Sequence, residues 1–269
     1  MEQRNSHRSP EWTPHPVAQK LVLHDIEVAD FDGDGDVDIV GRNQNWSEKT
    51  SGAALFIMRQ EAPDRWTRAT VRIPEGEGLV AADIDGDKDL DFVVNSVWVE
   101  NRGDLLADMP IHDFGPEWKH AATFVATGDL NADGRTDIVL SPSEKAGTRY
   151  RLSWFEAPAD PKGGRWTEHV VDADVETAHH FVGVADFNLD GLADIATAAM
   201  GHAAAPQNVT LFLNPGEGRD WVEQVIGSNG SHSMRIVDLD GTGAPSLFGA
   251  NYRSSKVELW RNVTPRSSL

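Results

Sequence analysis

The sequence predicts an all-β fold, a five-bladed β-propeller built from four-stranded blades. Three observations predict it. An aspartate-rich loop recurs five times, with leading residues Asp30, Asp83, Asp129, Asp186 and Asp238 spaced by 53, 46, 57 and 52 residues. Each repeat holds short β-branched and aromatic runs, with Pro and Gly clusters between them and no helical periodicity. A period of about 50 residues made only of short strands is the pattern of propeller blades.

In the first repeat, 24–30 (HDIEVAD) reads as the inner strand and 37–41 (VDIVG) as the second. The third is 54–60 (ALFIMRQ) and the outer strand is 65–73 (RWTRATVRI). RLSWFEA, VTLFLN and KVELWRN are later third strands, and RWTEHVV and DWVEQVI later outer strands. The last repeat stops after its third strand, 256–262, whereas the chain begins with an orphan outer strand, 11–17 (EWTPHPV). The N-terminal strand is therefore expected to pair into the last blade and close the ring, removing exposed sheet edges. The domain spans 11–262, with 1–10 and 263–269 as flexible tails. Trp12, Trp66, Trp166 and Trp221 recur on outer strands and read as packing residues.

The loop itself poses a charge problem. Asp30, Asp32, Asp34, Asp36 and Asp38 alternate along one short stretch, and like charges a few ångströms apart repel strongly. The apolar flanks argue against disorder. Gly33 and Gly35 permit a turn that gathers the carboxylates, and oxygen-only ligands on a flexible loop suit Ca²⁺. D-x-D-x-D-G echoes an EF-hand loop, but its flanks are strands.

Aligned, the loops read ADFDGDGDVDIV, ADIDGDKDLDFV, GDLNADGRTDIV, ADFNLDGLADIA and VDLDGTGAPSLF. They resemble the FG-GAP/VCBS-type repeats of integrin-type propellers and many bacterial carbohydrate-active proteins, over about residues 11–262. The resemblance implies one structural Ca²⁺ in each intact loop, about four in all. Matched residue by residue, the ligands are Asp30, Asp32, Asp34 and Asp38 with the Asp36 carbonyl, then Asp83, Asp85, Asp87 and Asp91. The third loop offers Asp129, Asn131, Asp133 and Asp137, and the fourth Asp186, Asn188, Asp190 and Asp194. In the fifth, Asp238 and Asp240 remain while Thr242 and Ser246 replace the later acids, so tight Ca²⁺ binding is not expected there.

The net charge of −19 disfavours binding to nucleic-acid phosphates; four Ca²⁺ would bring it to −11. No run of about 18 apolar residues could span a membrane. The absence of cysteine excludes disulfides and thiolate metal sites. The N-terminus shows no apolar signal region, so the chain reads as cytoplasmic as written, or secreted if a signal was trimmed. A monomer is expected.

A second pattern lies six residues before each leading aspartate: His24, Glu77, Thr123, His180 and His232, with His120 and His179 nearby. Inner strands line a propeller's channel, so these positions converge at its mouth, on the face opposite the aspartate loops. Three readings stand open. The ring binds a divalent metal (Zn, Fe, Mn or Mg) through His24, His180 and His232; it is a metal-free acid–base or polar site; or the histidines are packing residues inherited by repeat duplication. The retained ligand chemistry of Glu77, and His232 surviving in the repeat that lost its acids, weigh against the last. Loops on the same face supply Arg42, Asn43, Trp46, Trp98 and Tyr252 as candidate binders of a polyhydroxylated ligand.

The repeat block also resembles, in part, the propeller of keto-sugar dehydratases and lyases. The leading expectation is a metal-dependent lyase, dehydratase or isomerase for a sugar-like or keto substrate, with Glu77, His120 or His179 moving the proton. Oxygenase chemistry is a subsidiary option. The alternative is a non-enzymatic, Ca²⁺-stabilised carbohydrate-binding propeller.

Overall fold

Each repeat folds into one antiparallel sheet whose strands follow chain order. The structure is a computed structural model in which residues 12–44, 52–216, 219–253 and 256–265 are described. Blade one comprises β1 (Asp25–Ala29), β2 (Asp38–Arg42), β3 (Ala54–Ala62) and β4 (Arg65–Arg72). Blade two comprises β5 (Val80–Ala82), β6 (Asp91–Val94), β7 (Val97–Val99) and β8 (Ile111–Asp113). Blade three holds β9 (Thr123–Gly128), β10 (Asp137–Pro142), β11 (Arg149–Glu156) and β12 (Thr167–Glu176). Blade four holds β13 (His179–Ala185), β14 (Asp194–Ala199), β15 (Val209–Leu213) and β16 (Val222–Gly227). Blade five holds β17 (Ser233–Val237), β18 (Ser246–Ala250) and β19 (Val257–Trp260). The five sheets form a five-bladed β-propeller, with no helix among the described residues.

Burial follows position in the blade. β6, β10 and β14 are buried along their whole length, as near-continuous apolar runs enclosed on both faces must be. Apolar cores then join successive blades. Val40 and Ile57 pack with Phe92 and Val99 between blades one and two. Trp98 packs with Ile138 and Phe155 between two and three, Val139 with Ile195 and Phe212 between three and four, and Ala196 with Met234 and Leu247 between four and five. On the faces turned away from these cores, Ile26, Val28, Phe248 and Leu259 stay about half exposed.

The last aspartate of each of the first four loops is fully buried and acts as a bracket. Asp38 accepts from Phe31 N at 3.1 Å with one oxygen and from Gln60 N at 2.9 Å with the other. Asp91 does the same with Ile84 N and Asn101 N, Asp137 with Leu130 N and Ala157 N, and Asp194 with Phe187 N and Asn214 N. Each bracket ties the inner loop to the end of the third strand. In blade five Ser246 Oγ takes over, accepting from Asn262 N at 3.0 Å.

In blades two, four and five the residue that meets the bracket is an asparagine that also reaches the preceding blade. Asn101 Nδ2 donates to Phe31 O at 2.8 Å, Asn214 Nδ2 to Leu130 O at 2.7 Å, and Asn262 Nδ2 to Phe187 O at 2.8 Å. Arg42 is a second tie. The sequence suggests it as a substrate-binding residue, but its side chain is fully buried. Its guanidinium donates to Gly78 O (2.8 Å), Asn95 Oδ1 (3.0 Å) and Pro74 O (3.1 Å), joining blade one to blade two. Burial lowers its pKa to about 10, which leaves it charged at neutral pH.

The N-terminal segment departs from expectation. Residues 12–23 form no strand, and blade five has three strands among the described residues. His15 Nδ1 lies 2.7 Å from Asp64 Oδ1 in the outer turn of blade one, and Leu23 packs over Gly41. The segment thus lies against blade one, and Trp12, read as a packing residue, is 87% exposed. The physical reason is in the segment: Pro14 and Pro16 remove two amide donors from one edge of the would-be strand.

Two outcomes follow for denaturant unfolding. Asn101→Ala leaves the buried Phe31 carbonyl unpaired and is expected to cost about 2 kcal/mol. Arg42→Ala strands three acceptors and a side-chain volume, and is expected to cost about 3–5 kcal/mol. A substitution that leaves the unfolding midpoint unchanged would show its tie to be idle.

Candidate functional site

The inner strands start on the face opposite the aspartate loops, and there His24, Glu77 and His180 meet. His24 immediately precedes β1, Glu77 lies just before β5, and His180 is the second residue of β13. One ligand atom from each falls within 4.8 Å of the other two. Ligands held tetrahedrally around one small divalent ion at about 2.0–2.2 Å stand roughly 3.3–3.6 Å apart, and the one separation between His24 Nε2 and Glu77 Oε2, 3.9 Å, approaches that spacing.

Both imidazoles are held from behind. His180 Nδ1 donates to the carbonyl of His232 at 3.0 Å, which turns Nε2 toward the cluster and Glu144. His24 Nδ1 is 3.0 Å from Asp25 Oδ2, and that oxygen also accepts from Gly78 N at 3.0 Å. His24 Nε2 then lies 3.9 Å from Glu77 Oε2. A histidine whose far nitrogen is fixed by a carbonyl or carboxylate is the usual second-sphere arrangement of a metal ligand.

Two carboxylates share the space. Glu77 is fully buried and accepts from Gln44 Nε2 at 2.8 Å and from the Ser143 hydroxyl. Burial, then the charge of Glu144, pushes it up to about 7. Glu144 Oε1 sits 3.3 Å from His180 Nε2, and this bond lowers its pKa against the opposing effect of burial. For His180 burial acts downward, but Glu144 and Glu77 outweigh it and the net shift is upward. The hydrogen bond that His24 Nδ1 donates to Asp25 raises the pKa of His24. Glu144 is held at φ 66°, a left-handed backbone uncommon outside glycine and often met at functional sites.

His232, expected as a third ligand, takes another role. Its ring stacks on His180 with centroids 3.8 Å apart and planes 19° apart. A metal lies close to the plane of each imidazole that binds it, and two nearly parallel planes at this spacing share no such point. His232 packs behind the ligand instead, with Tyr252 edge-on to it at 5.2 Å. Tyr252, a candidate substrate binder, is half exposed here, its hydroxyl bonded to His202 Nδ1 at 2.8 Å.

Other expected site residues lie elsewhere. His120 Nδ1 donates to Ala122 O, and its ring packs near Tyr150 within blade three. His179 contacts Ser141 Oγ at 3.1 Å, and burial pushes it down to about 4. Neither joins the cluster; His179 sits where the register of β13 against β14 is irregular, and its ring turns to Ser141. Trp98 is fully buried in the core of blades two and three, stacked on His112. The Asn43 amide is spent on its own loop, donating to Gly52 O and accepting from Ala54 N. Trp46 lies outside the described residues.

Gln44, Ser143 and Asp25 belong to the site without having been singled out for it. Glu144 is one of the polar residues that the 141–150 loop (SPSEKAGTRY) offers to this face by sequence, but no repeat register marks it as a partner of the histidines. Only the path of the loop brings it to His180.

On the opposite face the loops are ordered by their own acids. Asp30 accepts from Gly33 N and Gly35 N, Asp32 from Asp34 N, and Asp34 from Asp36 N. Asp83, Asp85 and Asp87 repeat this arrangement in the second loop. Carboxylate oxygens of Asp30, Asp32 and Asp38, and of Asp83, Asp85 and Asp91, lie within 4.8 Å of one another and could hold a cation. In the third and fourth loops Asp129 and Asp186 accept the turn amides, while Asn131 Nδ2 and Asn188 Nδ2 donate at 2.9 Å to Asp133 and Asp190. Basic groups share the charge: Arg59 on Asp32 (2.7 Å), Lys162 on Asp85 (2.6 Å), Arg135 on Asp133 and Arg261 on Asp240 (2.9 Å). Burial, with neighbouring acids adding, pushes Asp91 up to about 7 and Asp137 and Asp194 up to about 6. In the fifth loop the Thr242 hydroxyl donates to Asp240 at 2.7 Å, so the turn forms with fewer acids.

A search of curated proteins finds no match to the chain. The family model described as FG-GAP-like repeat matches residues 30–94 and 129–197, which cover the loops of blades one, three and four and that of blade two. With the blade architecture, this identifies the chain as an FG-GAP-repeat β-propeller.

Proposed function

We propose that the chain is a metal-dependent enzyme whose site is the channel mouth, carrying out lyase, dehydratase or isomerase chemistry on a sugar-like or keto substrate. The observation that carries this reading is the pair of imidazoles pinned at Nδ1, with one ligand atom each from His24, His180 and Glu77 gathered within 4.8 Å. Two histidines and a carboxylate suit Zn, Fe or Mn. A divalent ion there would act as a Lewis acid toward a substrate carbonyl or hydroxyl.

The chain's own residues supply the rest. Gln44 and Ser143 fix the Glu77 carboxylate. Glu144, about a quarter exposed where Glu77 is fully buried, is the group that a substrate can reach; it takes the proton from carbon. The His202–Tyr252 pair at the rim offers hydrogen bonds to substrate hydroxyls. On the other face, the first four loops hold structural Ca²⁺ on oxygen donors alone. The carbohydrate-binding alternative calls for equivalent clefts between blades. Two inter-blade clefts differ, at about 950 and 310 Å³ with different linings, which favours a single site on the axis.

Metal analysis after loading with Zn²⁺, Mn²⁺ or Fe²⁺ is expected to give one non-calcium metal per chain. His24→Ala and Glu77→Gln should lose it with unchanged circular dichroism, whereas His232→Phe, which keeps the stack, should retain it. No axial metal in the parent protein, or full retention in His24→Ala, would end the proposal. Separately, Ca²⁺ removal by a chelator is expected to lower Tm by about 5 °C or more, since a ligand that binds only the folded state stabilises it. An unmoved Tm would show the loops to be self-sufficient.

A further inference from the structure

Blades two and three carry the same three side chains on their third and fourth strands. In blade two Trp98 stacks on His112, directly opposite it in register, at 4.3 Å, and His112 Nε2 donates to Glu100 Oε2 at 2.8 Å. In blade three Trp154 stacks on His169, its register partner, at 4.2 Å, and His169 Nε2 donates to Glu156 Oε2 at 2.8 Å. What meets the other glutamate oxygen differs. Glu100 Oε1 accepts from Lys162 Nζ at 2.8 Å, and the same ammonium lies 2.6 Å from Asp85 Oδ2. Both carboxylates are almost fully buried around it, at 2% and 3% exposure. Lys162 belongs to blade three, on the turn from β11 to β12, so blade three fills the groove of blade two with its own lysine.

Blade four does not return the favour. Its turn from β15 to β16 is shorter and contains no lysine. A cleft of about 950 Å³ opens there, between blades three and four, lined by Trp154, His169, Glu156 and Trp221. Six carboxylates face it against one arginine, Arg219. Arg135 and Arg151 hold two of the six, Asp133 and Glu168. Glu156 keeps one oxygen without a partner among the described residues, the atom that corresponds to the Lys162 acceptor on Glu100. Trp154, 7% exposed, lines the cleft with its ring, while its indole N–H is buried and unpartnered just as that of Trp98 is in blade two.

We propose that this cleft binds a primary alkylammonium group, the end of a free polyamine or of a lysine side chain. The charge sits on Glu156, as the Lys162 ammonium sits on Glu100, and the alkyl chain lies along the aromatic walls. Aromatic faces add to the attraction for a cation, and the cleft has the volume of a small-molecule site. It is separate from the channel mouth, and nothing in it depends on a metal there.

Calorimetric titration of the whole chain in Ca²⁺-containing buffer at low salt tests this. The probes are spermidine and lysine blocked at both ends, with the Nε-acetylated form of the latter as the uncharged control. Saturable binding of one ammonium probe per chain is expected, and none of the acetylated form. Glu156→Gln should weaken it about tenfold or more. Asp64→Asn, which removes the same unit charge from the distant outer turn of blade one, should leave it unchanged. Tighter binding of spermidine would mark a free polyamine as the ligand, and tighter binding of blocked lysine a lysine side chain. No saturable binding at millimolar probe, equal binding of the acetylated form, or equal weakening by the two substitutions would overturn the proposal.

Discussion

The buried aspartate that closes each loop is the constraint on which the ring depends. A carboxylate removed from water is costly unless its oxygens are satisfied. Asp38, Asp91, Asp137 and Asp194 meet that condition by accepting one amide from the inner loop and one from the end of the third strand. The bracket fixes the spacing of inner and third strands within a blade. Where the bracketed residue is asparagine, its side chain carries the same fixation to the preceding blade. Loop and blade are thus set by one buried aspartate in each of the first four repeats, and the tie between blades is added where asparagine meets it.

That constraint divides the molecule into two faces with different freedom. The loop face is repetitive, because each bracket demands the same turn. The opposite face is free to diverge, and it has. Thr123 replaces an acid or imidazole in blade three, Glu144 arrives from a loop of the same blade, and His232 has become a stacking partner instead of a ligand. The repeats place similar residues in a ring, and the loops make one corner of that ring unlike the rest. The inter-blade grooves differ in the same way: one set of side chains is covered by Lys162 in blade two and left open in blade three.

Much of the fold was legible. The loop period marked the blades, and alternation and turn residues marked the strands within them. The outer strand expected at 11–17 failed because a match to DWVEQVI outweighed Pro14 and Pro16, whose missing amides count only when a sheet edge is to be paired. Of the site, the six-residue offset from the loops found His24, Glu77 and His180, since position along an inner strand fixes height in the channel. It also selected His232, because height says nothing about ring orientation. Trp98 and Arg42 were read as ligand-facing from their loop neighbourhoods, yet both are fully buried between blades.

By itself the sequence determined what is local: the acid spacing of each turn, the strand pattern around it, and the number of repeats. These depend on backbone geometry over a few residues, and a short window of sequence contains them. Only the tertiary structure decided which polar side chains share a space. Glu144 meets His180 from the neighbouring blade, Lys162 enters a groove of the preceding blade, and His180 turns one nitrogen to the His232 carbonyl and the other to the site. Those meetings depend on how sheets pack face to face and on the paths of the loops between them, quantities of several ångströms that no single repeat encodes.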